Sequence, residues 1–194
     1  IGSPDIDIMY SKDLPSIKSV RERYGIIYDN YSIVMYHPVT TEVDNLKDNI
    51  KSLVDAVIES GLKYVVIYPN NDIGSDIILN EYKRFEGNTN IKVYPSIRFE
   101  YFLTLLKHSD FIIGNSSAGV REASVYGVPS INVGRRQQGR VNKNGEGYII
   151  NSSDNTKEII SAIQKASKMQ CEPESFFGNG SSDQLFIDII DDEV

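Results

Sequence analysis

Short apolar runs alternate with amphipathic stretches along nearly all of the 194 residues, and this alternation restricts the fold more than any other feature. Residues 32–36, 64–68, 91–94, 111–114, 130–133 and 148–150 are rich in Ile, Val, Tyr and Phe. Each is too short for a helix and too apolar for a loop, so each reads as a buried strand. Between the first two, Leu46, Ile50, Leu53, Val54, Val57 and Ile58 recur at spacings of three and four before Gly61. That pattern predicts one helix over 43–60 with a buried face and a glycine stop. Further helices are predicted over 75–85, 98–107, 118–126 and 155–168. A last one over 181–191, apolar on one face and acidic at its end, docks elsewhere. Strands separated by helices need right-handed crossovers, which give a mainly parallel sheet covered on both faces. The expected fold is a Rossmann-like three-layer α/β/α domain, and 194 residues suffice for one such domain with a core.

Composition removes several classes of function. A formal net charge of −7 argues against a nucleic-acid partner, which needs a net basic face. No apolar run approaches the ~20 residues of a membrane helix, so no membrane partner is expected. The single cysteine, Cys171, rules out an internal disulfide framework and suits a reducing cytoplasm. Two histidines and one cysteine do not support a structural zinc site. The phosphate-loop pattern G-x-x-x-x-G-K-[ST] is absent, as is G-x-G-x-x-G after the first strand, so NTP hydrolysis and NAD binding find no support and no cofactor is expected. The chain opens at Ile1 without an initiator methionine, which reads as part of a longer protein.

In open parallel sheets ligands collect at the carboxyl ends of the strands, so the residues just after each strand carry the functional argument. His37, after the first strand, suits phosphate binding or proton transfer, while capping a turn is the plainer reading of the residue taken alone. Asn70 and Asp72, after the second, explain a turn by local side-chain bonding, with a base or sugar contact open to Asn70. After the fourth strand, Gly114-Asn115-Ser116-Ser117-Ala118-Gly119-Val120-Arg121-Glu122 combines small residues, two hydroxyls and an expected helix start. This suits a diphosphate, with Glu122 one turn on for a ribose diol; a capped helix explains it as well. After the fifth, Arg135, Arg136 and Arg140 suit phosphate or carboxylate, or a surface ion-pair cluster, or contact with another domain.

Taken in order, His37-Pro38, Pro69-Asn70-x-Asp72-x-Gly74-Ser75, the run from Gly114 to Glu122, and Gly134-x-Arg136-Gln137-x-Gly139-Arg140 resemble the C-terminal half of the hydrolysing UDP-N-acetylglucosamine 2-epimerases. Gly2-Ser3-Pro4-Asp5-Ile6-Asp7 and Phe177-Gly178-Asn179-Gly180 are similar to that family too, so the resemblance spans the chain. It implies one half of a glycosyltransferase-B-like fold, with the partner domain and its catalytic carboxylates outside this chain. It also implies elimination of UDP to a 2-acetamidoglucal and hydration to N-acetylmannosamine, in sialic-acid or related biosynthesis. A UDP-diacetamido-trideoxyhexose substrate, a non-hydrolysing epimerase, a glycosyltransferase half and a non-catalytic UDP-binding module are the alternatives. By the resemblance Ser116 and Ser117 hold the diphosphate and Glu122 the ribose. His37 stabilises departing UDP, Arg136 lies near the phosphates, and Asn70 lines the nucleotide pocket. Full-length relatives imply a homo-oligomer. Asp76 stands where animal relatives carry a basic residue for a feedback inhibitor, so that control is not expected here.

Overall fold

A computed structural model describes residues 2–41, 43–137, 139 and 147–192. It contains a six-stranded parallel sheet: β1 (Ser32–Met35), β2 (Tyr64–Ile67), β3 (Ile91–Tyr94), β4 (Ile112–Gly114), β5 (Ser130–Val133) and β6 (Ile149–Ser152). The spatial order is β3-β2-β1-β4-β5-β6, and every neighbouring pair is parallel. The order reverses direction between β1 and β4, which makes a crevice at their carboxyl ends.

Both faces of the sheet are buried, as a run of apolar residues without polar alternation requires. Val34, Val66, Ile113 and Ile131 face one cluster, which includes α3 (Leu46–Ser60) and α7 (Thr156–Ala166) and is extended by α4 (Ser75–Tyr82). Ile33, Val65 and Ile112, one residue off in register, face the other, formed with α1 (Pro4–Tyr10), α2 (Ile17–Tyr24), α5 (Phe99–Lys107) and α6 (Glu122–Val125). α3 shows why these segments are helical: Leu46, Ile50, Leu53, Val54 and Val57 are all buried on one face, and Gly61 closes it in the left-handed conformation.

The expected strands and main helices are present, and two elements escaped the sequence reading. α1 and α2 are short, and α2 buries only Val20, so neither carries a strong periodic signal. The terminal helix α8 (Ser182–Asp192) rests on α1, where the Ser182 hydroxyl and amide donate to Asp7. Its apolar residues Leu185, Phe186, Ile187, Ile189 and Ile190 stay 41–54% exposed. Among the described residues no helix is long and apolar enough to cross a membrane, and no group of three or more His, Cys, Asp or Glu is placed to hold a metal.

Candidate functional site at the β1–β4 crevice

The site begins with a close approach of two backbones. Gly114 ends β4 with φ +142°, and a Cβ there would lie 2.0 Å from the Met35 carbonyl oxygen. Only glycine lets β4 finish this close to β1. Asn115 follows, 1% exposed, and its side chain bridges the strands. Its Oδ1 accepts from the His37 amide at 2.7 Å, and its Nδ2 donates to the His37 carbonyl at 2.8 Å. An asparagine side chain thereby continues the β1–β4 ladder past the last strand residue. The Asn115 carbonyl in turn accepts from Arg136 Nη1 at 3.0 Å and Gln137 Nε2 at 2.7 Å. The loops after β1, β4 and β5 therefore converge on one buried residue, which the sequence reading treated only as part of a motif.

Beyond Asn115 the expected helix over 118–126 is not formed. A 3-10 turn at Ser117–Gly119 comes first, and the four-residue α6 starts only at Glu122. Packing explains the difference: a Cβ on Gly119 would lie 2.5 Å from Ser130 Oγ, so the turn is pressed directly on β5. Four residues sum too few peptide dipoles for a helix macrodipole to matter. What remains is local. Ser116 Oγ accepts from the Ala118 amide at 3.3 Å, and Ser117 O accepts from Val120 and Arg121. Among the described residues the amides of Ser116 and Ser117 and the Ser117 hydroxyl have no protein partner. Tyr148 donates to the Val120 carbonyl at 2.6 Å and pins the far end of the turn.

His37 is half-buried, and its Nδ1 accepts from the Asn70 amide at 3.1 Å. A ring nitrogen that accepts is unprotonated, so the neutral imidazole carries its proton on Nε2. Burial, then the nearby Arg136 charge, lower its pKa below the ordinary value, against weaker opposing contributions from Asn70 and Asp72. At pH 7 the side chain is therefore a neutral hydrogen-bond donor rather than a cation. Asn70 itself is exposed, and its amide side chain donates to Asp72.

Glu122 is 4% exposed, and its Oε1 meets Arg121 Nη2 at 3.2 Å. Among the described residues its other oxygen, Oε2, is buried without a hydrogen-bond partner. Such an atom loses its water and gains nothing in return, which proteins seldom tolerate without a reason. The same Arg121 nitrogen reaches Asp5 on α1 at 2.9 Å.

Of the residues singled out from sequence, His37, Asn70 and Arg136 belong to one hydrogen-bonded assembly around Asn115, and Ser116 and Ser117 follow Asn115 directly in the chain. Glu122 lies just past it, tied to α1 instead. Arg135 is exposed, and Arg140 lies outside the described residues. Asn115, Gln137, Arg121 and Asp5 were missed as functional contributors. A buried asparagine directly after a strand-ending glycine was the available signal.

Residues 1–191 match the model of a family described as UDP-N-acetylglucosamine 2-epimerase. Over 194 aligned residues the chain is 46% identical to a UDP-N-acetylglucosamine 2-epimerase of Neisseria meningitidis serogroup B, covering 98% of this chain and 50% of that protein. It is 34% identical to polysialic acid biosynthesis protein P7 of Escherichia coli, covering 86% of this chain and 46% of that one. The chain thus spans about half the length of these curated relatives. Among solved structures, UDP-GlcNAc 2-epimerase of Methanocaldococcus jannaschii, in complex with UDP-GlcNAc and UDP, superposes with a TM-score of 0.76 at 21% identity. That match covers 98% of this chain and 54% of the other, and it speaks for the fold.

Proposed function

The chain belongs to the UDP-N-acetylglucosamine 2-epimerase family, and from that premise we propose that it is the C-terminal, UDP-binding domain of a hydrolysing epimerase that converts UDP-N-acetylglucosamine to N-acetylmannosamine and UDP. The proposal includes a partner domain that supplies the acid–base carboxylates, and a place in sialic-acid or related biosynthesis. The carrying observation is the assembly around Asn115, which sets several donors at the carboxyl ends of β1 and β4.

Each proposed role follows from chemistry at a stated atom. The Ser116 and Ser117 amides, with the Ser117 hydroxyl, donate to diphosphate oxygens, and Arg136 supplies positive charge beside them. Glu122 Oε2 accepts from a ribose hydroxyl, and Asn70 borders the nucleotide. In the reaction a base from the partner domain removes the C2 proton, the anomeric C–O bond breaks, and a double bond forms between C1 and C2. UDP leaves with the bonding electrons, and water then adds across the glucal to give the free sugar. Negative charge grows on the β-phosphate as the bond breaks, so a fixed donor such as His37 Nε2–H favours the transition state over the ground state. One such donor contributes roughly a hundredfold in rate.

Calorimetric titration of the protein with UDP tests the binding part. Saturable binding that Ser117→Ala and Glu122→Ala each weaken at least fivefold is expected; unchanged affinity in both variants overturns the site. Product analysis with UDP-N-acetylglucosamine tests the chemistry in the complete enzyme. Free N-acetylmannosamine is expected, and UDP-N-acetylmannosamine as the product overturns the hydrolysing reading. The 34% identity to a polysialic acid biosynthesis protein supports the pathway assignment.

A further inference from the structure

We propose that Asp5 and Arg121 are a positioning pair that aims Glu122 at the ribose and so sets the preference of the site for ribonucleotides. The inference rests on the UDP reading above and extends it to two residues that touch no ligand. Three facts about the side chains carry it. Glu122 is a buried carboxylate, and such a group is tolerated only beside a counter-charge. Arg121 Nη2 is its ion-pair partner, at 3.2 Å, and it occupies Oε1 alone. The second oxygen, Oε2, is left buried and without a partner among the described residues, so it stands as an acceptor open to a ligand donor.

Arg121 does not hold this pose by burial, because its side chain is 37% exposed. It is held from α1: the same nitrogen bonds Asp5 Oδ2 at 2.9 Å, and Ser3 Oγ donates to that oxygen at 3.4 Å. One guanidinium nitrogen thus bridges the carboxylate of its neighbour Glu122 and that of Asp5, 116 residues from Arg121 in sequence. Removing Asp5 releases Arg121, and releasing Arg121 lets Glu122 rotate, so that either oxygen or neither faces the sugar. An ammonium in place of the guanidinium keeps the charge without the planar fork and preserves the geometry only in part.

The test compares UDP with 2′,3′-dideoxyuridine diphosphate, which lacks both ribose hydroxyls, by calorimetry on the wild type, Arg121→Ala, Arg121→Lys and Asp5→Ala. The wild type is expected to prefer UDP at least tenfold, because a buried acceptor left unpaired penalises the dideoxy analogue. Arg121→Ala is expected to lower UDP affinity about tenfold and leave the dideoxy analogue within threefold, erasing the preference. Asp5→Ala follows in the same direction with a smaller change, and Arg121→Lys recovers part of the preference. Parallel losses for both nucleotides in the Arg121 and Asp5 variants mean a merely structural role and overturn the inference, with UDP binding itself intact. A wild type that prefers UDP, and variants that keep the preference, overturn it equally. A wild type that binds neither nucleotide removes the underlying UDP reading, which is a separate and visible outcome.

Discussion

The turns after β2 and after β4 leave the same end of the sheet and are both rich in Asn, Ser and Gly, yet they dispose of their polar groups in opposite ways. After β2, Asn70 is exposed and its side chain bonds Asp72 two residues on. That is the local bookkeeping of an ordinary turn. After β4, Asn115 is buried and spends its side chain across the sheet on residue 37, while the Ser116 and Ser117 amides and Glu122 Oε2 have no partner among the described residues. Similar compositions therefore mean different things. The first turn bonds its Asn70 side chain locally and lends one backbone amide to His37, and the second leaves donors and an acceptor unfilled, which is the condition expected of a binding surface prepared in advance.

The contrast is sharpest at Gly114. Gly114→Ala forces a Cβ to 2.0 Å from a backbone oxygen at a φ of +142°, where neither side can yield. A destabilisation of about 4 kcal/mol or more is expected, read as a lowered denaturant midpoint or insoluble expression. Near-normal stability in this variant would show that β4 need not end against β1. At the ligand level, Ser117→Ala is expected to weaken UDP binding about tenfold, ~1.4 kcal/mol, with the melting temperature unchanged. Asn70→Ala, which removes a side chain bonded only to Asp72 and keeps the backbone amide on His37, is expected to change affinity less than threefold. An Asn70 variant that loses as much as the Ser117 variant breaks the comparison and makes the β2 turn a ligand-binding element.

The finest test concerns His37, which joins the two turns. Its pKa lies below the ordinary value, so the free protein holds it neutral at pH 7 and above. Diphosphate negative charge raises that pKa, so UDP binding takes up part of a proton between the free and the bound values and none well above them. Calorimetry in buffers of different ionisation enthalpy reads this directly, and His37→Gln abolishes it. The same depression acts on folding. Between the lowered value and about 6.5 the unfolded chain binds more protons, so stability falls as pH drops through that window. The slope is shallower in His37→Gln, as denaturant midpoints at pH 8 and pH 6 measure.

Much of this was legible in the sequence, for a physical reason. The six strands and α3 announce themselves because both faces of a parallel sheet must be apolar and a packed helix must repeat near 3.6. The strand-end rule directed attention to His37, Asn70, the run from Ser116 to Glu122 and the arginines after β5, and the family resemblance supplied the role expected of each. The helix expected over 118–126 failed because helix-forming composition was read without the pressure of Gly119 on Ser130, a contact between elements. Asn115 as a bridge and the Asp5–Arg121–Glu122 chain were invisible for the same reason. They depend on which residues far apart in sequence end up adjacent, and local pattern carries no record of that.

The Asn115 bridge has a consequence for motion. Because its amide couples the residue-37 backbone to the β4 turn while its carbonyl anchors the segment after β5, the three loops share one hinge pin. Thermal fluctuation that widens the gap between any two must break several bonds together, so these loops travel as a single plate. Any ligand seated here would meet a mouth of preset width, and whatever swings to admit or release it would have to come from somewhere other than this floor.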